Sequence, residues 1–148
     1  MTPRTHIVFG AVSTLVVAAT IAWGFVLAGT PAARREERFD EQRVRDLKTI
    51  AREIQRIVID ENNAEQNVLK EPLPKTLAEA ARRARNEKLN TRDPETGEPY
   101  RYTLTGETTY ELCATFSRAL DRDSSVFWNH PAGEQCFTVD VLDPPPAY

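Results

Sequence analysis

The chain has 148 residues, 28% of them charged, yet its formal net charge is only −3. That length allows one modest domain beside a membrane segment, and the near-balance of charge excludes nucleic acid as an expected partner. Two cysteines without a CxxC spacing and two histidines supply neither a redox or zinc-ribbon motif nor a rich ligand set, so no metal and no other cofactor is expected.

Residues 1–6 form a short N-terminal tail. From Ile7 to Gly29 the sequence IVFGAVSTLVVAATIAWGFVLAG carries no formal charge. A bilayer core takes roughly 20 helical residues, so residues 7–29 are expected to form a transmembrane helix. The run exceeds the ~7–15 apolar residues of a signal peptide, which favours a retained anchor over a cleaved leader. Gly10, Thr14, Ala18 and Ala22 recur at every fourth position and put small residues on one helix face, where a second helix can approach closely. Trp23 stands where an interfacial aromatic anchor belongs. No ionisable group lies at mid-span, so ion or proton transport is not expected, and His6 at the edge is read as interfacial rather than as a haem or pigment ligand.

After Thr30 and Pro31, residues 32–62 read as a long amphipathic helix. Val44, Leu47, Ala51, Ile54 and Val58 recur at helical spacing, Ile50 and Ile57 widen the stripe, and the other face is charged. Pro31 suits a bend or a first helical turn. The stripe's expected partner is the chain's own sheet, since a coiled coil would want a longer heptad run.

Residues 63–143 are expected to complete a small α+β domain. Thr76 caps a helix over Leu77–Glu87, with Glu79 in the capping-box position, and Arg82, Arg83 and Arg85 read as a solvated face. Tyr100–Thr105 and Thr108–Phe116, joined at Gly106-Glu107, carry a hairpin signal. Gln135–Leu142 alternates Phe137, Val139 and Val141 against Cys136, Thr138 and Asp140 and reads as a third strand. Ser117–Glu134 is expected to be a long loop, and residues 144–148 are a proline-rich tail.

Two acidic loops offer oxygen donors of the kind calcium takes: Asp93, Glu95 and Glu98 in one, Asp121 and Asp123 in the other. Asp93-Pro94-Glu95-Thr96-Gly97 is equally a turn, with Pro94 pre-setting φ and Gly97 free to take a positive one. No EF-hand spacing is present, so the turn is favoured. His130 has Ser117, Ser124 and Ser125 nearby in sequence, but neither a nucleophile elbow nor a base–orienter pair accompanies them. No catalytic residue and no enzyme activity are expected. Cys113 in the second strand and Cys136 at the start of the third leave two alternatives open, a bridge or two buried thiols.

A hydrophobic N-terminal helix, then R-x-x-D-L-x-x-I (Arg43, Asp46, Leu47, Ile50), a Leu-Pro-x-x-Leu turn (Leu73, Pro74, Leu77) and a DP–G–PY–Y segment resemble the pilin-like proteins, in particular the major pseudopilins of type II secretion. The chain also resembles a set of uncharacterised bacterial single-pass proteins that carry DPETG-x-PY-x-Y, YELCA-x-F and W-x-HPAG-x-x-CF, here at Asp93–Tyr102, Tyr110–Phe116 and Trp128–Phe137. The resemblance spans Arg43 to Val141. It implies a small antiparallel sheet of about three strands packed on a long helix, and a Cys113–Cys136 bridge, worth roughly 3 kcal/mol by chain entropy. The chain departs from the pilin pattern in its leader: Phe9-Gly10 stands in the reverse of the cleavage order, and the first glutamate is Glu36.

Counting Lys and Arg alone would hold the C-terminal side in the cytoplasm, whereas a disulfide needs an oxidising compartment. The bridge favours a bacterial inner-membrane protein with a periplasmic C-terminal domain. The expected role is a non-catalytic accessory subunit of a larger membrane complex, respiratory or photosynthetic, with other subunits and the lipid bilayer as partners. The alternative is a pseudopilin-like component of a type II secretion or type IV pilus system.

Overall fold

The computed structural model describes residues 3–28, 31–59, 69–85, 88–120 and 127–145, with side chains in the first of these from Ile7 to Phe25. In chain order the elements are α1 (Pro3–Ala28), α2 (Pro31–Val58), α3 (Leu77–Arg83), β1 (Arg101–Leu104), β2 (Thr109–Phe116) and β3 (Gly133–Asp140). They make an α+β chain with one antiparallel sheet in the order β1-β2-β3. Two compact units divide it, Met1–Arg35 and Glu36–Tyr148.

The first unit holds α1, which extends beyond the uncharged run to Pro3 and is apolar on all sides, so no face is set aside for a core. Ile7–Phe25 is long and apolar enough to cross a membrane, and none of it is buried. Two of its hydroxyls bond back to the helix: Thr14 Oγ1 donates to the Gly10 carbonyl and Thr20 Oγ1 to the Val17 carbonyl, both at 2.9 Å.

In the second unit the stripe of α2 is buried as its spacing dictates. Leu47, Ile50, Ile54 and Val58 are fully inaccessible, each worth about 1.5–3 kcal/mol relative to exposure. Val44 and Ile57 are half-buried at its margin. The helix stops at Val58, short of the expected residue 62; residues 60–68, including Asn62 and Asn63, lie outside the described residues. The chain returns at Leu69, which bridges Ile59, and Lys70 donates to the Val58 carbonyl.

Thr76 caps α3 as expected: its hydroxyl accepts from the Glu79 amide at 3.1 Å, while the Glu79 carboxylate accepts from the Lys75 amide at 2.8 Å, one residue outside the capping-box position. The helix ends at Arg83 rather than continuing to Glu87, because Ala84 leaves helical geometry with ψ 130. Arg82 and Arg85 are exposed, while Arg83 is partly exposed and paired. It pairs with Glu71 at 2.5 Å and Glu79 at 3.4 Å and reaches the Pro72 carbonyl.

The sheet presents Tyr110, Leu112, Ala114 and Phe116 of β2 and Phe137 and Val139 of β3 to a single cluster with the stripe of α2, as alternation along a strand requires. Tyr102 of β1 flanks that cluster, its hydroxyl donating to the Pro74 carbonyl at 2.8 Å and its ring 5.2 Å from Tyr110. The third strand begins at Gly133, two residues before the expected start. Gly133 has φ 101, a conformation that favours glycine. Residues 117–132 are not wholly irregular, since Leu120 and His130 exchange backbone bonds at 2.8 and 3.1 Å.

Candidate functional site

On α2, Asp40, Arg43 and Asp46 extend the buried face towards the helix start, at the same three- and four-residue steps as Leu47, Ile50 and Ile54. A charge held this far from water needs full compensation. Arg43, 2% exposed, has it: Nε and Nη2 donate to the two Asp93 oxygens at 2.6 and 3.0 Å, Nη2 also to Glu95 at 2.7 Å, and Nη1 to Asp40 at 2.7 Å. Burial alone would lower the guanidinium's proton affinity, but these bonds raise it well above the ordinary arginine value.

The loop that meets Arg43 is built by its own residues. Asp93 Oδ1 accepts from the Glu95 and Thr96 amides at 2.9 and 3.0 Å, and Gly97, at φ 74, donates to the Asp93 carbonyl. The arms on either side pair through Arg92 and Pro99, making a tight hairpin of its own before β1. Burial would raise the Asp93 carboxyl, yet Arg43 and the two amides bring it down to about 2. Asp40 completes the other side, accepting from the Ser117 and Arg118 amides, both at 2.9 Å. One guanidinium thus joins α2, the 93–97 turn and the end of β2.

The first acidic loop is thus the turn that its sequence favours. The Asp93 and Glu95 carboxylates are turned onto Arg43, which supplies the positive charge that a metal ion would have brought; Glu98 contributes only backbone bonds within the turn. Asp121 and Asp123 lie outside the described residues.

Asp46 forms a second knot, accepting from the Tyr100 hydroxyl at 3.1 Å, Gln42 at 2.7 Å and Asn90 at 3.2 Å. Burial and then the Asp46 charge push the Tyr100 hydroxyl far above its usual range. Tyr100→Phe removes a hydrogen bond to a charged acceptor and is expected to cost about 1.5–3 kcal/mol in urea unfolding; a midpoint equal to the parent's would refute the assignment. Beside this knot an open cleft of about 720 Å³ is lined by Arg38, Phe39, Arg45, Leu89, Arg92 and Pro94 among others.

His130 is buried and stacked on Phe116, ring centroids 3.5 Å apart, with Nδ1 3.1 Å from the Pro131 carbonyl. Burial outweighs the neighbouring carbonyls and Asp40 and lowers its affinity for a proton. Of the serines near it in sequence, Ser117 meets Arg43 and Asp40 instead; Ser124 and Ser125 lie outside the described residues. Trp128, 2% exposed, packs between Phe127 and Phe137, both ring pairs 5.0 Å apart.

Cys113 and Cys136 are direct partners across β2 and β3, Cα atoms 4.0 Å apart, and are bonded to each other. They lie on the sheet face opposite the hydrophobic cluster. Arg101 of β1, opposite Cys113 in register, reaches both sulfurs from Nη2, at 3.3 and 3.1 Å.

Gly10, Thr14, Ala18 and Ala22 all fall in α1 with exposed side chains, and a Cβ added at Gly10 would meet nothing within 4 Å. His6 has no described side chain. Sequence reasoning missed Asp40 and the buried environment of Arg43 and Asp46. The available signal was that Asp40, Arg43, Leu47, Ile50 and Ile54 continue one helical spacing. No protein-family model matches the chain, and neither curated proteins nor solved structures give a match.

Proposed function

We propose that the protein is a non-catalytic, single-pass subunit of a larger bacterial inner-membrane complex, of the respiratory or photosynthetic kind, with its C-terminal domain in the periplasm. The observation that carries this reading is α1, where large apolar side chains such as Ile7, Phe9, Leu15 and Phe25 are 68–74% exposed. So much apolar surface on a monomer demands lipid or another helix around it. The small-residue face of Gly10, Thr14, Ala18 and Ala22 is where a neighbouring helix would sit. The domain's inner polar groups support a structural role, since Arg43 and Asp46 are spent on holding its own loops. The bonded Cys113–Cys136 pair supports an oxidising compartment.

The test is to solubilise native membranes in mild detergent, isolate complexes that retain the chain, and identify their subunits by mass spectrometry. Stable co-migration with defined partners is expected, and Ala18→Leu is expected to release the chain from them while leaving it in the membrane fraction. Migration of the parent as a lone chain would sink the reading.

A second reading, a pseudopilin-like component of a type II secretion or type IV pilus system, draws support from one observation. All four residues of the R-x-x-D-L-x-x-I element are buried on a long helix whose stripe joins a three-stranded antiparallel sheet, the architecture the resemblance implies. N-terminal sequencing of the native protein separates the two. A mature chain beginning inside the apolar run favours the filament component; an intact Met1 or Thr2 favours the fixed subunit.

A further inference from the structure

The outer face of the sheet holds a group of side chains that neither the hydrophobic cluster nor the Arg43 knot uses. Glu111 and Cys113 are two residues apart on β2 and therefore share that face, and Cys136 faces Cys113 across the ladder. A carboxylate oxygen of Glu111 and both sulfurs lie within 4.8 Å of one another. Glu111 is half-buried, and its carboxylate makes no hydrogen bond or ion pair among the described residues. Arg101, which touches both sulfurs, also pairs with Glu134 at 3.2 Å.

We propose that Glu111, Cys113 and Cys136 form a thiol-controlled metal site, closed by the disulfide under oxidising conditions and open, once reduced, to one divalent cation of the zinc class. Opening is an ordinary exchange with a low-molecular-weight dithiol. Its thiolate attacks one sulfur, the S–S bond breaks, the other cysteine leaves, and the dithiol's second thiolate closes its own disulfide. Two electrons pass to the protein, leaving two thiols. The cation then binds both as thiolates with release of two protons, and Glu111 adds a carboxylate oxygen.

Three features of the structure support this. First, reduction leaves the fold in place, because the bridge joins residues that the β2–β3 ladder already pairs and neither sulfur belongs to the hydrophobic cluster. Second, two thiolates and one carboxylate select a thiophilic ion over calcium or magnesium. Third, those three anionic ligands around a doubly charged ion leave one net negative charge, and the Arg101 guanidinium is already positioned beside it. Exchange with the disulfide form of that dithiol runs the step in reverse: two electrons return to it, the Cys113–Cys136 bond re-forms, and the ion is expelled as both sulfurs are withdrawn.

Full-length protein in detergent, reduced and freed of reductant without oxygen, would be titrated with cobalt(II) alone and then with zinc in competition. The expected result is one cobalt per chain with thiolate charge-transfer absorption, displaced by zinc, and none in the oxidised protein. Cys113→Ser/Cys136→Ser should abolish that absorption. Glu111→Gln should keep it but weaken binding by about tenfold or more, since loss of even an outer partner of a metal ligand costs roughly 10–100-fold. Far-UV circular dichroism of the reduced chain should match that of the oxidised one. The proposal is overturned if reduced parent protein binds cobalt no better than the double serine variant. It is equally overturned if Glu111→Gln binds as tightly as the parent, or if reduction alone abolishes the sheet signal.

Discussion

Arg43→Ala is expected to destabilise the Glu36–Tyr148 unit by about 3–5 kcal/mol, the usual cost of breaking a buried ion pair from one side. The estimate follows from what is left behind. Arg43, Asp40 and Asp93 have side chains only 3, 8 and 10% exposed, so removing the guanidinium leaves two carboxylates buried without their charge partner. Glu95, 42% exposed, can return to water and adds little. For a unit of this size the loss corresponds to a fall in melting temperature of about 10 °C or more. Arg43→Lys should recover only part of it, because an ammonium cannot fork across both Asp93 oxygens. The acid limb supplies a further check. Asp93 is depressed from 3.8 to about 2 in the folded protein, so its contribution is fully present above the unfolded value and is lost as pH falls through the folded one. The parent should therefore lose stability between about pH 4 and 2, and Arg43→Ala should lose much less there. Equal melting temperatures for Arg43→Ala and the parent at neutral pH would refute the clamp.

Trp128→Ala is the second large effect, expected to cost about 3–5 kcal/mol through lost contact and an unfilled cavity. The indole is the largest fully buried side chain and ties the segment before β3 to Phe127 and Phe137. Its Nε1 is buried with no hydrogen-bond partner among the described residues. Trp128→Phe gives up ring area but also removes that unsatisfied donor, whose burial costs about 1–3 kcal/mol. The phenylalanine variant should therefore retain most of the parent's stability. Chemical denaturation of the three proteins decides the matter, and a Phe variant as unstable as the Ala one would show that the indole nitrogen is paired after all.

Legibility in the sequence followed the range of the interactions. The apolar run of α1, the stripe of α2, the Thr76 cap and the alternation of β3 arise from residues close in sequence and were readable from spacing, while β2 was readable from its strand-forming composition and hairpin connection. Element ends were less so. The second helix stops at Val58 rather than at residue 62, and the third at Arg83 rather than at Glu87. Helix-forming residues continue past Arg83, and the departure of Ala84 from helical geometry is settled by its surroundings. The Arg43 knot was invisible for another reason. Its partners Asp93, Glu95 and Ser117 are 50 to 74 residues away, and a charged residue on an amphipathic helix defaults to the solvated face. The acidic loop was readable as a turn, but that its carboxylates meet an arginine on α2 was not. The bridge lay between these extremes: the strand signals put the two cysteines on separate strands, but only the register makes Cys113 and Cys136 direct partners.

The buried polar residues of α2 also set the rotational phase of the helix. Apolar side chains tolerate a modest roll, because one greasy contact resembles the next. Asp40, Arg43 and Asp46 do not, since each is matched to particular amides, carboxylates or hydroxyls on the opposite wall. A helix turns by about 100° per residue, so a single inserted residue between Arg43 and Asp46 cannot satisfy both knots at once. The fold is thereby keyed like a lock barrel, with the torsional angle of α2 dictated by its charges and its depth of burial by its leucines and isoleucines.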